Sequence, residues 1–380
     1  MYSSDRINAR LQSSRRSVLQ AASLAVSAIA MPRLFGEGLA VGEQGAAQTP
    51  PILGRLTSPV IFAGDAKVAY RDPAALYHSG WFYLYFTMVR TEPDGIAYSY
   101  AAWTRSRDLQ TWSDVNLLTP HDKNLDFGSP GDVIRFHDRW VLCLQTYPRP
   151  QGERYGNRDS RIWTMTSRDL RNWSLPELLK VRGPDVARAD MGRMIDPYLF
   201  PDKDNPRKWW CFYKQNGISK SWSYDLKDWT YAGHTDAGEN PCVIVDRGEY
   251  VLFHSPPNGI GIKRSRDLEN WRDEQTLMLG QKEWPWAQGR LTAGFVLDLR
   301  REPGVKQAIM FFHGSRFPEE DLRGGFDNYA SIGIAWSNDL LRWHWPPSLE
   351  SSEEFLPSHT GRDVYRSSPL LSKLEASTPG

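Results

Sequence analysis

The stretch Ser106-Arg107-Asp108-Leu109-Gln110-Thr111-Trp112 decides the reading of this chain, because its frame Ser-x-Asp-Leu-x-x-Trp occurs five times. The other copies run from Ser167 to Trp173, Ser223 to Trp229, Ser265 to Trp271 and Ser337 to Trp343. Four fixed positions in five copies, one of them the rare Trp, mark an array of similar units, and units of this size build solenoids or propellers. Successive Trp positions are 61, 56, 42 and 72 residues apart. Short alternating runs such as Trp81-Phe82-Tyr83-Leu84-Tyr85-Phe86 and Tyr250-Val251-Leu252-Phe253 precede the phrases. They are rich in aromatic and β-branched residues and read as strands. No long segment of helical period interrupts them. The predicted fold is all-β, a single five-bladed β-propeller of four-stranded antiparallel blades. In the phrase itself, Ser and Asp side chains are expected to bond nearby backbone N–H groups in a tight turn. Leu and Trp then tuck beneath the turn and fill the gap to the next sheet.

The propeller is assigned to residues 48–380, with residues 1–47 as a leader. Ser14-Arg15-Arg16-Ser17-Val18-Leu19 reads as a twin-arginine export signal, followed by a weakly apolar stretch to Met31. Small-residue cleavage sites lie at Ala28-Ile29-Ala30 and Gly38-Leu39-Ala40. The competing reading is a basic leader without a signal. The expected destination is the periplasm or the exterior. Three cysteines, Cys143, Cys211 and Cys242, each in or beside a strand run, read as buried thiols rather than a disulfide framework or a metal site. The net charge of +1 argues against nucleic acid or an anionic membrane as partner. Sixteen Trp exceed what five phrases use, which suits a protein that stacks rings on sugars. Thr49 to about Ala69 should lead into the first blade. The tail, acidic at Ser351-Ser352-Glu353-Glu354, offers one strand around Val364-Tyr365-Arg366 that completes the last blade or wraps loosely.

Catalytic groups of a propeller gather at one mouth of the central channel, so the first residues of each unit matter most. Unit one opens Tyr70-Arg71-Asp72-Pro73, unit two Ser129-Pro130-Gly131-Asp132 and unit three Met194-Ile195-Asp196-Pro197. Unit four opens Gly238-Glu239-Asn240-Pro241 and unit five Gly289-Arg290-Leu291-Thr292. Four acids and one arginine are expected to face one pit. Carboxylates crowded at an apolar-walled pit separate in pKa, so one acts as acid and another as base, as glycoside hydrolysis requires. A lone Asp-Pro is more often a turn; recurrence at unit openings argues for more.

These openings, with R-D-P-A-A-L-Y-H-S-G-W-F-Y-L-Y-F-T, I-D-P-Y-L-F-P-D and E-N-P-C-V-I-V-D-R-G-E-Y-V-L-F, resemble those of family 43 glycoside hydrolases, five-bladed propellers related to the family 32 fructosidases. The resemblance spans roughly Asp72 to Trp343. It implies Asp72 as general base, Asp196 as the group that orients the acid and raises its pKa, and Glu239 as general acid. It also implies substrate contacts at Asp132 and Arg290. Arg71 beside Asp72, Trp284 and Trp286 before Arg290, and His313 are further candidate substrate contacts; blade packing is the alternative for the two Trp. Relatives sometimes hold an ion in the channel near a histidine, so His313 is also a candidate water or ion ligand; no cofactor is otherwise implied. His254 reads as a core residue and Lys180 to Arg188 as a solvated loop. The second unit departs from the family pattern, reading S-P-G-D instead of W-A-P-D. The implied activity is an exported, inverting, exo-acting hydrolase of a furanoside or pentoside, with an oligo- or polysaccharide as partner. The alternatives are a retaining fructosidase-type hydrolase and an inactive sugar-binding propeller.

Overall fold

Each copy of the repeated phrase closes the third strand of a sheet, and five such sheets surround a channel. The computed structural model describes residues 51–317, 326–346 and 366–367. The twin-arginine pattern and the acidic tail segment lie outside the described residues. Blade one is Val68–His78, Trp81–Thr91, Ala97–Ser106 and Asn116–Leu117. Blade two is Phe127–Phe136, Arg139–Thr146, Ile162–Ser167 and Glu177–Leu178. Blade three is Ile195–Pro201, Trp209–Lys214, Ile218–Ser223 and Thr230–Thr235. Blade four is Glu239–Asp246, Glu249–Ser255, Ile260–Ser265 and Arg272–Leu277. Blade five contributes Arg290–Leu299, Gln307–Ser315 and Ala330–Ser337. All five are antiparallel meanders.

The phrase folds the same way each time. The Ser106 Oγ accepts from the Asp108 and Leu109 N–H groups, and Asp108 Oδ1 accepts from Gln110 and Thr111 N–H. The same four bonds recur at Ser167, Ser223, Ser265 and Ser337. The turn forces the Leu into the left-handed region, with φ from 60° to 68° in all five copies. That conformation costs a side chain about 1–2 kcal/mol. Four bonds worth about 0.5–1.5 kcal/mol each offset it. The Trp rings pack against the preceding blade: Trp173 meets Tyr85, Trp271 meets Phe212, Trp343 meets Phe253 and Trp112 meets Phe62. At the remaining interface the second strand carries the smaller Cys143, and Trp229 is buried in a cluster with it. The three cysteines are free and buried.

Closure corrects two expectations. Residues Val60–Phe62 do more than lead into blade one; they pair antiparallel with Ala330–Ser337 as the outer strand of blade five. The segment ahead of blade one thereby fastens the last sheet, which removes an open edge in the ring. The tail strand, Arg366–Ser367, does not complete blade five. It pairs parallel with Asn116–Leu117 at the outer edge of blade one.

Candidate active site

A bulge near the start of every inner strand builds the pit. Pairing jumps between Arg71 and Ala74, Gly128 and Asp132, Ile195 and Tyr198, Glu239 and Cys242, and Thr292 and Phe295. The first bulged residue has positive φ in all five blades: Asp72 (46°), Ser129 (38°), Asp196 (52°), Asn240 (51°) and Ala293 (52°). Bulges re-aim side chains, and here they turn five equivalent positions toward the axis. Together with the residues that follow, these five line a space of about 30 Å³. That is room for about one or two waters.

The register revises the expected ring of four acids and an arginine. Only Asp72 and Asp196 share the equivalent position. Glu239 stands one residue earlier, in the place of Arg71, and Arg290 stands two residues before Thr292. Asp132 is displaced by the extra residue Gly131, whose Cα lies against the Pro197 carbonyl so closely that a Cβ would sit 1.4 Å from its oxygen. Asp132 therefore falls in the next layer down, level with Ala74, Tyr198, Cys242 and Phe295. The rings of Tyr198 and Phe295, from non-adjacent blades, come within 5.9 Å and close the channel below the pit. Asp132 accepts a bond from the Val133 N–H, and burial pushes its carboxyl up to about 7.

A second ring of residues, of which the sequence pointed only to His313, holds the bulges. The N–H of each bulged residue donates to a group on the preceding blade: Asp72 to His313 Nδ1 (3.1 Å), Ser129 to Thr87 Oγ1 (2.7 Å), Asp196 to Gln145 Oε1 and Ala293 to Ser255 Oγ (2.8 Å). The acceptors occupy one register position on the second strands, and blade three has Lys214 there. A lysine accepts nothing. The Asn240 N–H instead donates to Asp196 Oδ2 (3.3 Å), which ties this carboxyl to blade four beside Glu239. Aligning the ends of the second strands (Phe86-Thr87, Leu144-Gln145, Tyr213-Lys214, His254-Ser255, Phe312-His313) is the signal that finds this ring.

The acids differ in environment. Thr87 donates to Asp72 Oδ2 (3.0 Å). Burial raises the Asp72 pKa, and the Arg71 guanidinium and the Thr87 and Ser129 bonds oppose it. Asp196 is 7 % exposed, and burial, Glu239 and Asp72 push it up to about 8. Glu239 has a cation of its own: Arg290 Nη2 donates to its Oε1 at 2.7 Å and to the Pro256 carbonyl at 3.2 Å. The resemblance gives Asp196 the charge and Glu239 the proton; in this geometry the upward push falls on Asp196 and the arginine on Glu239. Arg71 lies over the Phe326 ring (4.4 Å), which stacks on Tyr147 (5.5 Å) at the rim.

The remaining expected contacts divide. Trp284 and Trp286 stack on one another (5.1 Å) and on Phe312, at 0 % and 8 % exposure, so both rings belong to blade-five packing and present no face to a sugar. His254 is buried and its Nδ1 accepts from the Gly238 N–H; burial first, then Lys263, lowers it to about 4. His313 accepts from the Asp72 N–H through Nδ1, which leaves its proton on Nε2. Burial, with Arg71 and Arg290, holds it neutral. Nε2, Thr292 Oγ1 and Ser315 Oγ form a buried patch on one face of the blade-five sheet, with no hydrogen-bond partner among the described residues. An N–H at Nε2 fits a water or an anionic oxygen; a metal cation needs the lone pair this tautomer lacks.

No protein-family profile matches the chain, and no curated sequence does. Solved structures do. A thermostable family-43 glycoside hydrolase superposes with a TM-score of 0.53 at 18% identity, covering 78% of this chain and 98% of its own. The catalytic domain of the Coprinopsis cinerea GH62 alpha-L-arabinofuranosidase gives 0.52 at 12%, covering 73% and 94%. A family 117 glycoside hydrolase of the marine bacterium Zobellia galactanivorans gives 0.53 at 15%, covering 71% and 86%. At these identities the likeness is one of fold: a five-bladed propeller of the family 43 kind.

Proposed function

We propose that this protein is a glycoside hydrolase, inverting and exo-acting on a furanoside or pentoside. The observation that carries the reading is the placement of two carboxyls, half-buried Asp72 and buried Asp196, at one bulge position of blades one and three, with Glu239 adjoining. Paired carboxyls held apart in proton affinity are what glycoside hydrolysis uses. Asp72, oriented by Thr87, is the base that takes a proton from water as it attacks the anomeric carbon. Glu239 is the acid that protonates the leaving oxygen. In the ligand-free protein burial and the neighbouring carboxyls raise Asp196 to about 8, and Arg290 pairs with Glu239. A substrate hydroxyl that draws Arg290 away frees Glu239 Oε1 to meet the leaving oxygen. The chemistry asks only for carboxyls and water. The names of similar folds, an arabinofuranosidase among them, agree with a pentose substrate. Ser14 to Leu19 supports export of the folded protein by the twin-arginine route.

The test is a screen against aryl furanosides, aryl pyranosides and polysaccharides, with NMR of the first-formed anomer. Turnover with inverted configuration, lost in Asp72→Asn, supports the reading. Retained configuration overturns inversion, and saturable sugar binding with no turnover on any substrate overturns the enzyme.

A further inference from the structure

The carboxyls leave unexplained a group of basic side chains on the side of the mouth formed by blades two and three. Inner strands begin at the mouth, so the connections entering them and those joining second to third strands rim it. Two of the long ones, residues 147–161 and 179–194, hold eight Lys or Arg against four Asp or Glu, in a chain whose total charge is only +1.

These cations are fixed in place. Gln215 Nε2 donates to the carbonyls of Met191 and Arg193, both at 3.0 Å, and its Oε1 accepts from Arg182 Nη1 at 3.2 Å. Gly192, between the two carbonyls, has φ +75°, which a side chain rarely adopts. Arg182 also lies 3.9 Å over the Tyr231 ring. Arg193, three residues before Asp196, donates from Nε to the Gly156 carbonyl (3.1 Å) and faces Tyr147. Lys214, next to the Gln215 clamp, reaches the Gly238 carbonyl, one residue before Glu239, at a marginal 3.5 Å. Expected as a solvated loop, the stretch from Lys180 is thus bound to blade three.

Several basic groups on the blades have acids. Arg264 pairs with Asp246 and Glu274, Arg272 with Glu249, Arg300 with Asp246 and Asp298, and Arg149 with Asp126 and Asp327. Among the described residues Arg182, Arg193 and Lys214 have carbonyls, amides and rings but no carboxylate within ion-pair distance. Like charges gathered without counter-charge repel, and a half-buried basic group bonded only to neutral oxygens keeps donors for a ligand.

We propose that the glycan this site takes carries an anionic group, a uronate carboxylate or a sulfate ester, and that Arg193 and Lys214 receive it beside the carboxyl pit. The inference rests on the glycosidase reading for the sugar and adds its charge. Arginine binds planar or tetrahedral anionic oxygens with paired donors, and lysine adds a point charge.

The experiment compares three sets of oligosaccharides: uronate-bearing chains with their carboxyl-reduced counterparts, sulfated chains with their desulfated counterparts, and neutral pentose chains. Wild-type kcat/KM is expected to favour one acidic set over its neutral counterpart by about tenfold or more at low salt, and the preference to shrink in 0.5 M NaCl as screening predicts. Which set is favoured identifies carboxylate or sulfate. Arg193→Gln and Lys214→Gln should each lower the acidic-to-neutral ratio, mainly through KM. Calorimetric binding to Glu239→Gln reads the same ratio without turnover. Cleavage of neutral chains with a ratio at or below one overturns this inference and leaves the glycosidase reading standing. Preferential binding of an acidic chain with no hydrolysis of any chain does the reverse.

Discussion

Arg290 Nη2 lies 2.7 Å from Glu239 Oε1, so the proposed acid begins its cycle as half of an ion pair. Replacing Arg290 by Gln removes this pairing and its bond to the Pro256 carbonyl. The optimum kcat/KM should fall by about 10–100-fold, because the same guanidinium is proposed to hold substrate. A loss of less than about threefold, read on the substrate that wild type turns over best, contradicts a role for Arg290 in the site.

Asp132 should matter to stability more than to turnover. It lies a layer below the pit, and burial lifts its carboxyl to about 7 against about 3.9 in an unfolded chain. A raised carboxyl binds its proton more tightly folded than unfolded. Its contribution is therefore fully present below about pH 4 and is lost as pH rises through about 7. Asp132→Asn keeps the neutral shape and removes the titration. Urea unfolding from pH 4.5 to 8 should show a flatter decline in the variant, by a few kcal/mol at most at the alkaline end. Parallel curves for both proteins refute the assignment.

Phe62 is the clasp of the ring. It is 2 % exposed, sits on the strand Val60–Phe62 that pairs with blade five, and meets Tyr70, Phe86 and Trp112 of blade one at 5.4 to 5.7 Å. Phe62→Ala should cost about 3–5 kcal/mol in urea unfolding, the range for a buried aromatic. A loss under about 1 kcal/mol shows that closure is secured elsewhere.

The phrase Ser-x-Asp-Leu-x-x-Trp made blade number and blade class legible because its turn is local: every bond in it spans two or three residues. Closure was not legible because it joins Val60 to Gly333, and three strand residues carry too short a pattern to show their partner. Asp72 and Asp196 were readable from Asp-Pro at the unit openings. Asp132 misled because one inserted residue, Gly131, moves a side chain to another layer without changing the look of the motif. Thr87, Gln145 and Lys214 escaped because a lone polar residue at a strand end means little until register places it beside a bulge in the next blade. The protonation pattern was out of reach for the same reason, since it depends on which acid Arg290 meets.

Asp196 is the residue on which the catalytic reading turns. Its carboxyl is buried, accepts the Asn240 N–H and is lifted to about 8 by burial and by the charges of Glu239 and Asp72. Removing this carboxyl takes out of the pit the group that gives up its proton near pH 8. Asp196→Asn should move the alkaline limb of the pH–rate profile to lower pH and cut kcat, while sugar binding to the folded protein survives. The same change carries a stability signature of its own. A carboxyl lifted from about 3.9 stabilises fully at low pH and loses that contribution as pH rises toward 8, so the variant should lose less stability than wild type between pH 5 and 8. The two readouts separate the roles. A flatter stability profile with unchanged rate and unchanged limb makes Asp196 a buried turn residue of an Asp-Pro bulge, and the proposed acid then works without it. A shifted limb together with the flatter profile makes it the proton's resting place in the ligand-free enzyme.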